Sequence, residues 1–277
     1  QRDRPLGDGF PRSDPGRCRC LSDGRTTKET VRVDASGATG SASSLTAVDL
    51  PSYTVLDIPG TIEVDDSGEP WVVPVRARHA EAIEIPRLNV TGNPRYGIRV
   101  SHCSDVRIGT VSMDLSGGLG IRIDGRGGSR SKNVTLDTAK ITGSSTHAVE
   151  TYGVDGIDIG TVEATDIETG CGLLLNDTSD ATVEEVVATR CDDGGGYAGF
   201  RCANDAGPNI TVESVTAVDC GRGIFTVSGS QGIEIHDVSI ESCRSGALIQ
   251  DSRNVLVDGG TIAENGGWNQ HWTLQAV

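Results

Sequence analysis

Arg99, Arg122, Glu150 and Arg201 occupy one place in a short stretch that returns along the chain. Ser101, Asp124, Tyr152 and Asn176 occupy the place two residues further on, and Tyr96 and His147 stand just before the stretch begins. These are cations, carboxylates, a phenol and an imidazole. Guanidinium groups grip an anion through paired N–H donors. Tyrosine and histidine can take up a proton or hand one on. Lys132 ends a glycine-rich insertion, Gly125 to Lys132, from which it could reach over the same residues. Side by side, these groups would make a local positive groove suited to an anionic ligand held in one place.

The repeat is what could bring them together. It reads small, apolar, outward, apolar, outward, as in Gly97-Ile98-Arg99-Val100-Ser101 and Gly120-Ile121-Arg122-Ile123-Asp124. The small residues Gly97, Gly120, Ala148, Gly172, Gly199, Gly223 and Gly246 follow one another at steps of 23, 28, 24, 27, 24 and 23 residues. Self-similarity at such a period marks a stacked repeat. The helix-forming runs of helical repeats are absent. A second alternating strand follows each return, as at Val106-Arg107-Ile108 and Val134-Thr135-Leu136, and a third apolar step comes at Val111, Ile141, Val162 and Val186. Three short strands per turn predict one coil of a parallel β-helix. A coil of this kind is not stable alone, because its apolar faces bury against the coils above and below. Equivalent residues then lie roughly 4.8 Å apart. Arg99, Arg122 and Glu150 are thus expected in one column, with Tyr152 on the same face as Glu150.

Composition agrees with a solenoid. Aromatic content is only 4%, which suits ladders of Val, Ile and Leu, and the 37 glycines suit a fold with tight turns in every coil. The formal charge is −15, so the surface repels nucleic acid and anionic membrane, and neither is expected as a partner. High Asp with few Lys fits a salt-adapted source or a GC-rich genome equally. Of the eight cysteines, Cys220 and Cys243 hold equivalent places in neighbouring coils, where they can bond or sit as a reduced buried ladder. No CxxC or zinc-spaced His/Cys set is present, so no metal is expected. The chain starts with Gln and has no 18-residue apolar run, which reads as a mature exported protein or a trimmed one.

One domain is expected over 1–277. Residues 1–30 form an extended N-terminal segment, 31–70 irregular first coils, 71–265 the regular stack and 266–277 a C-terminal cap in which Trp268 and Trp272 plug the last coil. A second insertion, Cys191 to Tyr197, precedes Gly199. Insertions in solenoids map to loops, often on the binding face.

The coil pattern over 71–265 resembles the right-handed, single-stranded parallel β-helix proteins that include pectate-lyase-like and alginate-lyase-like polysaccharide lyases. That resemblance implies an all-β fold, a secreted and monomeric enzyme, and an anionic polysaccharide lying along a strand-face groove. It implies β-elimination of a uronate chain, with roles for Arg99, Arg122, Lys132, His147 and Tyr152. Arg122, with Arg99 or Arg201, would clamp the carboxylate and so acidify the C5 proton. Tyr152 or His147 would take that proton, and Lys132 or Tyr152 would protonate the leaving oxygen. Glu150 would orient an Arg or His, Asn176 would contact the sugar, and Tyr96 and Tyr197 would stack on its rings. No cofactor is implied. Calcium is the one ion the resemblance admits, and an acidic set for it is not evident. Two other readings stand beside this one: a glycoside hydrolase using Asp124 and Glu150, and a non-catalytic carbohydrate-binding protein.

Overall fold

The computed structural model describes residues 21–192 and 196–266. Trp268, Trp272, Cys18, Cys20 and the first 20 residues of the N-terminal segment lie outside the described residues. Every described strand belongs to one parallel sheet that winds through ~10 turns. Each strand pairs with its counterpart one coil before and one coil after, in the register the repeat implies. Ile98, Ile121, Val149, Leu173, Phe200 and Ile224 stack as one interior ladder, each fully buried. Val106, Val134, Ile157, Ala181, Ile210, Ile233 and Val255 form another on the second face.

The small residue of the repeat has a steric cause. A Cβ on Gly97 would lie 2.4 Å from Met113 Sδ, and one on Gly223 would lie 2.4 Å from Ile240 Cγ2. The first strand therefore starts where the third face closes against it, and in the regular coils the space takes at most a small side chain, such as the methyl of Ala148. The corners use a different device. Asp105, Asn133, Asp180, Asn209 and Asn254 all turn the same corner at positive φ, and Gly156 and Gly232 take that place in their coils. Asp and Asn tolerate this region better than other side chains. Adjacent corner residues bond across coils: Asn133 Nδ2 donates to Asp105 Oδ1 at 3.1 Å, and Asn209 Nδ2 to Asp180 Oδ1 at 2.7 Å. Part of the aspartate excess thus has a conformational use.

Two expectations about strands change. The second and third strands of a coil run as one bent strand, as in Ser104–Leu115 and Ser131–Thr142, and two coils run unbroken through Val149–Ile167 and Leu173–Cys191. The hydrogen-bond ladder to the neighbouring coils continues through the corner, so a bend does not end the strand. The irregular first coils also hold the common register. Glu29–Arg32 pairs with Thr54–Asp57, and Thr46–Leu50, which has no clear alternation in sequence, pairs with Val72–Arg78 through a register shift between Ala47 and Asp49. Arg25 ties the start of the described chain to this stack, donating to the carbonyls of Ser52 and Tyr53.

Cys191, Cys220 and Cys243 are buried thiols one above another, and the Cys191 N–H donates to Cys220 Sγ at 3.4 Å. Of the two states open to Cys220 and Cys243, this is the reduced ladder.

Leu136 is fully buried, whereas Thr135 beside it faces outward. Leu136→Ala should lower unfolding free energy by about 2–5 kcal/mol in chemical denaturation. Thr135→Ala should change it by less than about 1 kcal/mol. Equal effects would contradict the assignment of inward and outward positions.

Candidate functional site

The first-face column reads Asp49, Arg76, Arg99, Arg122, Glu150, Leu174, Arg201, Phe225, Leu248 in consecutive coils. Asp124, Tyr152 and Asn176 are neighbours in the column beside it. In-register stacking alone brings Arg99, Arg122, Asp124, Glu150, Tyr152 and Asn176 to one patch.

Arg122 is the centre of that patch, and it is not a free cation. Its Nη1 donates to Glu150 Oε2 and its Nη2 lies 3.3 Å from Asp124 Oδ2. Glu150 Oε1 accepts from Asn176 Nδ2 at 3.1 Å, and Asn176 Oδ1 accepts from Asn204 Nδ2 at 2.8 Å. Asp124 Oδ1 accepts the Arg126 N–H at 2.9 Å, which starts the glycine-rich loop. Asp124, Glu150 and Asn176 are buried. Burial pushes the Glu150 carboxyl above its usual range, and Arg122 pulls the other way. Two carboxylates face Arg122, and Arg99 lies 3.9 Å from one of them, so the centre is a mixed-charge cluster rather than a positive one. The positive excess falls at its edges.

Arg99 approaches Asp124 only to 3.9 Å and lies 5.1 Å from the Tyr96 ring centre. Arg126 lies 4.9 Å, and Arg122 5.9 Å, from the ring centre of Tyr152. Among the described residues the Tyr152 hydroxyl has no hydrogen-bond partner, and the side chain is half-buried. Arg130 closes the same loop: it holds Asp155 at 2.5 Å and Asp177 at 2.8 Å and donates to the Asp177 carbonyl.

His147 is buried beside the centre. Its Nδ1 accepts the Cys171 N–H at 2.9 Å, which puts the proton of the neutral ring on Nε2. Burial, then the charges of Arg122 and Arg201, lower its pKa to about 4. With one nitrogen accepting from the backbone and the other protonated, His147 is a hydrogen-bond donor and not a base. Lys132 is also elsewhere. It starts the second strand, exposed, in register with Ser104 and Asp155, and among the described residues it makes no ion pair with the first-face column. The corner at the loop turns it away from the face that Arg122 occupies.

Tyr197, from the second insertion, folds back on the first face. Its ring lies 4.9 Å from the Arg201 guanidinium and meets His147 edge-on at 5.1 Å. It also covers Cys171, Leu174 and Ala203, so the apolar cover on this face starts at Leu174. Arg76, Arg126, Arg130 and Arg222 were not among the sequence candidates. Arg76 forms a two-pronged pair with Asp49, at 2.6 Å for each contact. Its coil has Pro74 where the others have a small residue, so the repeat did not align it. Arg222 stands in the place of Tyr96 and His147 in its own coil, and that position was its signal.

Among the described residues no group of three or more His, Cys, Asp or Glu could hold a metal ion. A cavity of about 530 Å³ lies on the second face between Thr211, Glu234 and Leu256. It has one carboxylate and no cation, so it does not suit an anionic chain.

A parallel solenoid with a polar, arginine-rich strand face is the class of protein these observations define. The chain belongs to the right-handed β-helix family: the family model described as "Right handed beta helix region" matches residues 75–237, more than half of its length. No curated protein and no solved structure matches it. The fold is compatible with enzymes that act on polysaccharides.

His147 gives the patch a pH signature. Below pH 6.5 the unfolded chain protonates this histidine, and the folded chain does not until about pH 4. The folded state therefore loses stability as pH falls through that window. His147→Gln removes the effect, so wild type should lose up to about 3 kcal/mol more than the variant between neutral pH and pH 4. Parallel stability curves for the two proteins would contradict the buried neutral imidazole.

Proposed function

We propose that the protein binds an acidic, uronate-containing polysaccharide along its first face and cleaves it by β-elimination. The observation that carries this reading is Tyr152: a half-buried phenol whose hydroxyl has no partner among the described residues, flanked by Arg126 and Arg122 and one coil from Asp124. Arg99 and Arg126, which have no short carboxylate contact among the described residues, neutralise the sugar carboxylate and the enediolate that forms from it. Tyr152, as its phenolate, takes the C5 proton. The electron pair forms the C4=C5 double bond, the C4–O bond breaks, and the leaving oxygen recovers the proton from Tyr152. The Asp124–Arg122–Glu150–Asn176 network holds the strand and loop around this point. Its members are occupied with one another, so they position rather than react. Export from the cell and a monomeric state go with this reading.

The burial of Glu150 favours a second reading. A carboxyl held above its usual range can serve as a general acid, with Asp124 across Arg122 as its partner in glycoside hydrolysis. The products separate the two. Incubation with a panel of uronate polymers should raise the ultraviolet absorbance of unsaturated uronate ends. New reducing ends without that absorbance would favour hydrolysis, and neither signal would leave binding alone. Tyr152→Phe should lower kcat by about 10²–10⁴-fold with KM within a few-fold of wild type. Full turnover in that variant would remove Tyr152 as the base.

A further inference from the structure

We propose that Arg201 and Arg222 form a second anion subsite on the first face, one that takes another carboxylate of the same acidic chain. The proposal rests on the reading that an acidic polysaccharide lies along this face. Arg201 is held between two rings, 4.9 Å from the centre of Tyr197 and 4.6 Å from that of Phe225. Arg222 lies 4.6 Å from the same Phe225 ring and donates to the Tyr197 carbonyl at 3.4 Å. Aromatic faces orient guanidinium groups and leave their charge in place.

Among the described residues neither of these two has a carboxylate within ion-pair distance. In the same column Arg76 has Asp49 and Arg122 has Glu150. The neighbours of Arg201 in register are Leu174 and Phe225, so apolar groups stand where its counter-ion would be. Among the described residues neither Arg201 nor Arg222 makes an ion pair, and Arg201 Nε is buried with no partner. Burial pushes the Arg222 guanidinium down; Asp192 offsets part of this, and Arg201 and Arg244 add like charge. One oxygen of Asp192 is already taken by the Tyr197 N–H at 2.5 Å. Two adjacent, partly desolvated cations on a chain of net charge −15 are out of keeping with the rest of the surface, and a bound anion resolves that.

Shape narrows the ligand. Arg201 is three coils from Arg122, or roughly 14 Å at about 4.8 Å per coil. One acidic sugar cannot fill both places. A chain with carboxylates on sugars several units apart can, which specifies a polyuronate over a neutral polymer with a single acidic end.

Isothermal titration with an oligogalacturonate long enough to span both places, and with its methyl ester, tests the proposal. Wild type should bind the acid at least about tenfold tighter than the ester. Arg222→Gln, at a half-exposed position, should keep the wild-type melting temperature, lose about tenfold on the acid and little on the ester. Arg201→Gln should do the same on the acid. An unchanged affinity of Arg222→Gln for the acid, or no preference of wild type for acid over ester, overturns the subsite. The β-elimination reading fails separately. If wild type binds the acid through Arg222 and releases no unsaturated ends, the subsite stands and elimination falls. If Arg222→Gln turns over with wild-type KM, elimination stands and the subsite falls.

Discussion

A coil that rises by one strand spacing sets each outward side chain beside its counterparts in the coils above and below. That constraint governs the first face. Three arginines, Arg76, Arg99 and Arg122, stand in successive coils and repel one another unless charge is interleaved. Asp49 caps the row at one end and Glu150 at the other, Asp124 enters from the next column, and Arg99 leans on Tyr96. Elsewhere the same rule gives Arg–Asp pairs between coils, as at Arg87–Asp57, Arg107–Asp137 and Arg190–Asp166. Exposed pairs of this kind add little stability each. Their value lies in making a negative chain stackable. Against that background Arg201, flanked by Leu174 and Phe225, departs from the pattern.

The interior imposes a second demand, and it explains the composition. Ladders of Ile, Leu and Val need every coil to close on itself in the same space. Closure leaves little space where the first strand meets the third face, hence Gly97 and Gly223. It also requires left-handed residues at corners, and Asp and Asn supply many of them. The acidic surface is in part a by-product of turning corners. The two insertions then place rings and cations over the first face: Arg126 reaches Tyr152 from one loop, and Tyr197 reaches Arg201 and His147 from the other.

The register was legible wherever a small residue opened the strand, and the column from Arg99 to Leu248 follows from those residues. It was not legible at Arg76, where Pro74 breaks the pattern, or at Thr46–Leu50, where a register shift does. Which residues share a column follows from spacing alone. Which carboxylate turns to which arginine does not, because that depends on side-chain rotamers. That Asp124 and Glu150 both turn to Arg122 could therefore not be read from the spacing. The contact between His147 and the Cys171 backbone N–H, which sets the imidazole's tautomer, likewise has no signal in the spacing. Lys132 depended on the path of the loop, and Arg130 anchors that loop so that Lys132 leads onto another face.

A crystal structure of the Tyr152→Phe variant with an acidic oligosaccharide bound tests the central claim most directly. The account predicts sugar density along the first face, between Tyr96 and Tyr197, with a carboxylate against Arg99 or Arg126. A sugar seated on the second or third face, away from the arginine column, would contradict it.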